Sequence, residues 1–321
     1  MPRTRSSILS VLIGGMLFGT AGTAQALGPS GTNPLAVGAL RLIVGAIVLV
    51  IAMPLLGYRP SRIPSLWRSR YVLVAAVCVA AYQPAFFAAM SLTGVAVGTL
   101  VNVGSAPVFA GLLAWIVLGH RPTPAWLLAT GLCITGLVLL SWKSLAGGDP
   151  IGLVLALFSG FAIAIYTLVS KKELERGTSP VEVNAGIMVL SGFMLLPILV
   201  VQPLGWLATP QGAALALYLG VATMAIANVL YMLGLHGISP GPVTTLNLAD
   251  PLTATILGVL VVGETMTWLG GLGLLLLFAG LVLQGFSLAR AGHRAGRAAS
   301  DAAAAAEPVD AADVPEAVIP L

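Results

Sequence analysis

Charge is what this sequence has least of. Only 8% of its 321 residues are Asp, Glu, Lys or Arg, whereas 58% are hydrophobic and the mean hydropathy is +1.01. A soluble domain carries about 25% charged residues. The shortfall excludes a water-soluble globule, because a chain of this size has no interior that could hide so much apolar side chain. Lipid must be its solvent. Cysteine is almost missing too: Cys78 and Cys133 both fall inside apolar runs, which argues against a disulfide or metal clip and leaves two small core residues. Of the 3 histidines none stands beside a second likely ligand, and there is no His-Glu-x-x-His pattern. A Gly-x-x-x-x-Gly-Lys-Ser/Thr phosphate loop is also absent, which argues against ATP hydrolysis. Nothing in the sequence predicts a cofactor or a metal. The formal net charge of +4 does not point to nucleic acid, since the basic residues lie in short loops beside apolar runs, where they act as topology signals.

What the chain does have is long apolar runs. A helix needs roughly 20 apolar residues to cross the hydrocarbon core, and ten segments are predicted to do so: 7–26, 35–56, 71–92, 95–118, 124–141, 151–170, 184–202, 211–235, 241–262 and 268–289. Turn chemistry separates them, as at Gly28-Pro29-Ser30-Gly31, Arg121-Pro122 and Ser239-Pro240-Gly241-Pro242. The weakest break is Thr93-Gly94, where spans three and four could form one kinked helix. With a cytoplasmic N-terminus, all 15 Lys and Arg residues except Lys143 and Arg41 fall on the inside. The positive-inside rule therefore predicts an all-α membrane protein with both termini cytoplasmic, in the cell membrane. A rival reading of the start is a cleaved signal peptide: Arg3, Arg5, the apolar run from Ile8 and Ala24-Gln25-Ala26 have that form. Against it, Gly14, Gly15, Gly19 and Gly22 with the hydroxyls of Thr20 and Thr23 suit a packed span. Residues 291–321, rich in Ala and Asp with Pro308, Pro315 and Pro320, are expected to be a disordered cytoplasmic tail.

The chain repeats itself. Ala106-Pro107 through Gly119-His120 aligns with Asp250-Pro251 through Gly263-Glu264, and Gly136-Leu137-Val138-Leu139 aligns at the same spacing with Gly280-Leu281-Val282-Leu283. The expected units are residues 1–145 and 146–290. Five spans per unit is odd, so the second copy must enter the membrane inverted. Inverted repeats are characteristic of secondary transporters, whose equivalent halves open a central site to each side in turn. A passive channel for small solutes remains the alternative, with an integral membrane enzyme behind it.

On these residues the sequence resembles the EamA-type branch of the drug/metabolite transporter superfamily over nearly all of 7–289. Pro34-Leu35 and Arg41 in the second span carry the likeness, with Pro107 to Gly119 in the fourth and Asp250-Pro251 through Gly263-Glu264 in the ninth. The resemblance implies export of amino acids, related metabolites or drugs without a nucleotide. His120 departs from the family pattern, which has Glu there.

Charged groups inside a bilayer usually face a cavity or a partner. Arg41 lies about 10 Å below the outer end of its helix and Asp250 roughly 13 Å from the inner end of the ninth span, at 1.5 Å per residue. They could pair, or hold the two ends of a zwitterionic small-molecule substrate. Arg41 could equally snorkel or brace helix carbonyls. Asp250 could simply satisfy backbone groups freed by Pro251, or bind and release a proton as the coupling carboxylate. Gln25, Tyr82, Gln83, Asn102, Tyr166, Asn228, Tyr231 and Asn247 are further polar residues within spans, as a set the candidate lining of one cavity and singly interhelical hydrogen-bond partners. Pro84, Pro107, Pro251, Gly119, Gly263 and Glu264 are expected to have gating or structural roles. Gly15-x-x-x-Gly19 and Gly94-x-x-x-Gly98 permit close helix packing, within or between protomers.

Overall fold

The structure, a computed structural model, describes residues 2–142 and 149–305, and all regular elements among them are helical. The principal helices are α1 (Pro2–Ala26), α2 (Pro34–Ala52), α3 (Arg70–Thr93), α4 (Val95–Leu118), α5 (Pro124–Leu140), α6 (Pro150–Glu175) and α7 (Pro180–Val201). They are followed by α8 (Pro210–Gly237), α9 (Pro240–Val262) and α10 (Trp268–Ala305). Among the described residues, nine of these are long and apolar enough to cross a membrane. The remaining one, α5, is apolar but has only 17 residues, a rise of about 26 Å against a core of about 30 Å.

Local chemistry explains most of the boundaries. Proline opens α2 and α5 to α9, each time after Asn33, Thr123, Asp149, Ser179, Thr209 or Ser239. Pro fits the first helical turn, where no N–H is needed, and at every start but Ser239 the preceding side chain caps a free amide. Asn33 Oδ1 accepts from Leu35 N at 2.9 Å, Asp149 Oδ1 from Ile151 N at 2.7 Å and Thr209 Oγ1 from Gly212 N at 3.0 Å. The weak break at Thr93-Gly94 is real: Gly94 has φ +86° and separates α3 from α4.

The helix ends carry the repeat. Gly119 and Gly263 close α4 and α9 in the left-handed region, with φ +71° and +80°. Each permits the same six-residue closing bond, His120 N to Ala114 O at 3.1 Å and Glu264 N to Gly258 O at 3.0 Å. Both glycines are therefore caps. Glu264 is exposed, with its carboxylate folded back beside Gly258.

Packing repeats as well. α1 lies on α8 and α9 as α6 lies on α3 and α4, while α2 packs on α7 and α8 as α7 packs on α2 and α3. At the centre of this exchange α5 crosses α10. A Cβ on Gly136 would come within 2.6 Å of Gly273 O, and one on Gly280 within 2.8 Å of Ala129 O. Cys133 Sγ donates to Leu277 O at 3.7 Å, a pair 144 residues apart. These contacts interchange under the repeat, and they place later α10 residues against earlier α5 residues. The equivalent helices thus run antiparallel, so the two copies are inverted with respect to each other.

The copies differ in regularity. α3 and α4 continue unbroken through Pro84 and Pro107. Their counterparts do not: α8 has a π-helical stretch at Leu219–Ile226, and α9 is interrupted at Asn247-Leu248 and turns π-helical at Gly258–Val262. Another departure from the sequence reading lies at the C-terminus. α10 stays helical to Ala305, beyond the expected start of disorder at residue 291, because an Ala-rich segment has the highest intrinsic helix propensity. Residues 306–321 of that tail lie outside the described residues.

The ends of α6 and α7 carry charges buried more deeply than a topology signal requires. Glu173 is 5% exposed and accepts from Ser69 Oγ and Thr178 Oγ1, and Glu182, 7% exposed, meets Arg62 at 3.4 Å. Lys171 Nζ donates to the last carbonyls of α8, Leu235 O at 2.9 Å and His236 O at 3.0 Å. Such a bond from a charged donor is worth about 2 kcal/mol. Lys171→Met, which keeps the buried stem, is expected to lower the thermal midpoint in detergent. An unchanged midpoint would mean that water replaces the ammonium at these carbonyls.

Candidate functional site

Four helices bring polar groups together near the middle of the bundle. On α2, the Asn33 cap sets the start of the helix and so the depth of Arg41. One turn earlier, Gly38 lets α3 approach: a Cβ there would sit 2.5 Å from Phe87 Cε2 and 3.4 Å from Gln83 Oε1. Gln83, 3% exposed, donates from Nε2 to Gly38 O at 3.4 Å. On α3, Tyr82 stacks on Phe86 with ring centres 5.5 Å apart, and Phe86 contacts Phe87 at the same separation. α4 supplies Asn102, fully buried. α9 supplies Asp250 from the first turn after its interruption. The Gly15-x-x-x-Gly19 face of α1 holds that turn in place, since a Cβ on Gly15 would lie 3.2 Å from Asn247 O and one on Gly19 would overlap the Asp250 carbonyl. This glycine pair therefore packs within the chain.

Arg41 feels the charge of Asp250 and the Tyr82 hydroxyl, and Tyr82 also interacts with Asn102. Arg41 and Asp250 nevertheless form no direct ion pair; the pairs among the described residues are Arg62–Glu182, Lys171–Glu175 and Arg176–Glu173. Buried polar atoms normally have partners. Here Arg41 Nε, Gln83 Oε1, both amide atoms of Asn102 and Asn247 Oδ1 have no well-formed hydrogen bond. A guanidinium, a carboxylate, a phenol and several amides thus converge, and the guanidinium and the amides have bonding capacity unspent. The arrangement suits a small polar solute better than a finished structural network.

The other candidates fall elsewhere. Tyr166 and Tyr231 stack with centres 6.3 Å apart, Tyr231 shares a 2.8 Å hydrogen bond with Thr167, and Tyr166 reaches Asn228 at 3.5 Å. Asn228 also bonds Met224 O at 3.0 Å. These residues join α6 to α8, the interhelical role of such groups. Gln25 donates to Ala21 O of its own helix, at 3.4 Å. His120 and His236 are exposed. Among the described residues no group of His, Cys, Asp or Glu could hold a metal ion. Sequence reasoning passed over Asn184 and Gln284, each 1% exposed with an unpartnered amide atom. The signal that marked Asn102, an amide inside an apolar span, would have found them.

Two pockets lie away from this cluster. One is a groove of about 670 Å³ between α5 and α10, lined by Ala125, Leu283, Phe286, Arg290 and Arg294. The other is a crevice of about 60 Å³ beside His120, Arg121, Trp126 and Gly241.

A multi-pass bundle of two equivalent halves, with opposite charges enclosed between them, has the architecture of a membrane transporter. The chain belongs to the EamA-like transporter family, in the drug/metabolite transporter superfamily: the family model matches it twice, at residues 5–142 and 150–286. It is 40% identical over 276 residues to the uncharacterized transporter YwfM of Bacillus subtilis, covering 86% of this chain and 92% of the relative. It is 26% identical to protein PecM of Dickeya dadantii, over 78% of this chain and 82% of the relative. A probable terminal-alkyne amino-acid exporter of Streptantibioticus cattleyicolor is 28% identical, over 76% and 81%. One solved crystal structure shares the fold with a TM-score of 0.75 at 19% identity, covering 88% of this chain and 98% of that one.

Proposed function

We propose that this transporter is a secondary exporter of small metabolites, such as amino acids, amines or drug-like compounds, and works by alternating access around Arg41 and Asp250. All ten helices then cross the cell membrane, with both termini cytoplasmic. The reading of α5 as a full span rests on its antiparallel crossing with α10 and on the positive-inside charge distribution. The observation that carries the functional reading is the cluster itself. Arg41 from one copy and Asp250 from the other are in electrostatic reach without pairing, and amide atoms of Gln83, Asn102 and Asn247 around them are unsatisfied. A substrate carrying a carboxylate and an amine would complement both charges. The exporter from Streptantibioticus cattleyicolor, named for an amino acid, supports that class. Asp250 is the group able to take up a proton when substrate leaves, which would couple transport to a proton gradient.

Reconstitution in liposomes and a screen of metabolites with and without a pH gradient tests this. Saturable, gradient-dependent flux of one compound class is expected. Rapid non-saturating flux would instead indicate a channel, and gradient dependence retained in Asp250→Asn would remove the proton role from that residue.

A further inference from the structure

We infer that Trp126, Thr130 and Thr245 form a latch that holds the bundle shut at one end only and so biases which side of the membrane the central site faces. The inference rests on the alternating-access reading above. Where α9 begins, Gly241 meets α4 at Gly111; a Cβ on Gly241 would lie 2.9 Å from Gly111 Cα. The Trp126 ring covers the contact, with no room for a side chain at Gly111. Its Nε1 donates to Thr245 Oγ1 at 3.1 Å, Thr130 and Thr245 hydroxyls lie 2.9 Å apart, and Thr245 also reaches Gly241 O at 3.1 Å. All three side chains are buried: Trp126 is 7% exposed, Thr130 4% and Thr245 0%. The assembly spans α4, α5 and α9, and hence both copies of the repeat.

The repeat allows a direct comparison with the opposite end. In the register that pairs Gly136 with Gly280 and Pro107 with Pro251, Trp126 corresponds to Gly270 and Thr130 to Leu274. Upstream of the α9 interruption the spacing is one residue shorter, Gly94 with Gly237, so Thr245 corresponds to Asn102. Two of the three hydrogen-bonding members of the latch are thus replaced by residues whose side chains have no polar atom, and the third position holds Asn102, whose amide has no well-formed hydrogen bond. The packing differs in the same sense. The first segment of α9, Pro240–Leu246, packs on α4, whereas beyond the interruption Ala249–Leu257 packs chiefly on α1. Inverted halves with identical ends would populate both facing states equally. A latch at one end, with nothing to match it at the other, shifts that equilibrium by its own strength. The interruption at Asn247-Leu248 separates the latched segment from the one carrying Asp250, so the two can move separately.

Hydrogen–deuterium exchange on the purified full-length protein tests the latch without any substrate. In Thr245→Val, exchange at residues 240–246 is expected to rise about fivefold, and exchange at residues 251–262 to fall as the opposite end closes. Thr245→Ser, which keeps the hydroxyl, should exchange like the parent. A rise at 240–246 with no fall at 251–262 would overturn the inference, leaving the three residues as local packing. A loss equal in Thr245→Ser and Thr245→Val would overturn it too, since the hydroxyl would then be irrelevant. These outcomes do not depend on flux, so a failed transport assay and a failed latch are separable.

Discussion

Arg41→Gln and Asp250→Asn are each expected to reduce specific transport at least tenfold, and the double variant to regain stability without regaining transport. The reason lies in what each single change leaves behind. The two groups sit within spans, in electrostatic reach of one another, with no ion pair between them. Neutralising one leaves the other as a lone charge in a low-dielectric interior, which costs stability. Neutralising both removes that imbalance, so thermal stability should recover. Transport should not recover, because a substrate with two charged ends would then find neither counter-charge. Thermal unfolding and liposome flux, measured on the same four proteins, separate the roles. If flux returns with stability in the double variant, the pair is structural and the substrate binds elsewhere.

Much of this arrangement could be read in advance, for physical reasons. Span positions follow from the cost of polar backbone and side chains in lipid, and the Pro-after-Asn, Ser, Thr or Asp signature marks six helix starts. The repeat was visible because cap glycines and packing glycines tolerate no substitute: Gly119 with Gly263 at left-handed φ, and Gly136 with Gly280 at a crossing. Arg41 and Asp250 stood out because deep charges in spans are rare. Other features left no trace in the pattern. Pro107 and Pro251 are equivalent in sequence, yet only α9 is interrupted, since packing of the neighbouring turns decides whether a proline bends or breaks a helix. Lys171 looked like a topology charge and proved to cap α8. Tyr166 and Tyr231, candidates for cavity lining as a set and for interhelical bonding singly, stack on each other and bond Asn228 and Thr167, partners that sequence spacing does not reveal. Trp126, Thr130 and Thr245 lie on separate helices, and no sequence rule joins them.

Gly136→Ala is expected to cost about 3 kcal/mol, although the same change at Gly131, five positions earlier on α5, should be neutral or slightly stabilising. Alanine favours a helix over glycine by about 1 kcal/mol, so propensity alone predicts a gain at both positions. Space decides otherwise at Gly136. A Cβ there would lie 2.6 Å from Gly273 O and 2.8 Å from Leu277 N, and both are backbone atoms that no rotamer change can move. At Gly131 an added Cβ meets nothing within 4 Å. The helices would have to separate, losing contacts along the seam where the two copies meet and leaving Cys133 Sγ without Leu277 O. Because the copies are related across this seam, Gly280→Ala should be equally damaging, as its Cβ would fall 2.8 Å from Ala129 O and 2.5 Å from Cys133 Sγ. Thermal unfolding of the three single variants in one detergent compares them directly. Equal midpoints for Gly131→Ala and Gly136→Ala would mean that α5 and α10 do not cross this closely in the membrane. A loss at Gly136 without one at Gly280 would mean that the crossing is not symmetric, and that the two halves do not meet as equals there.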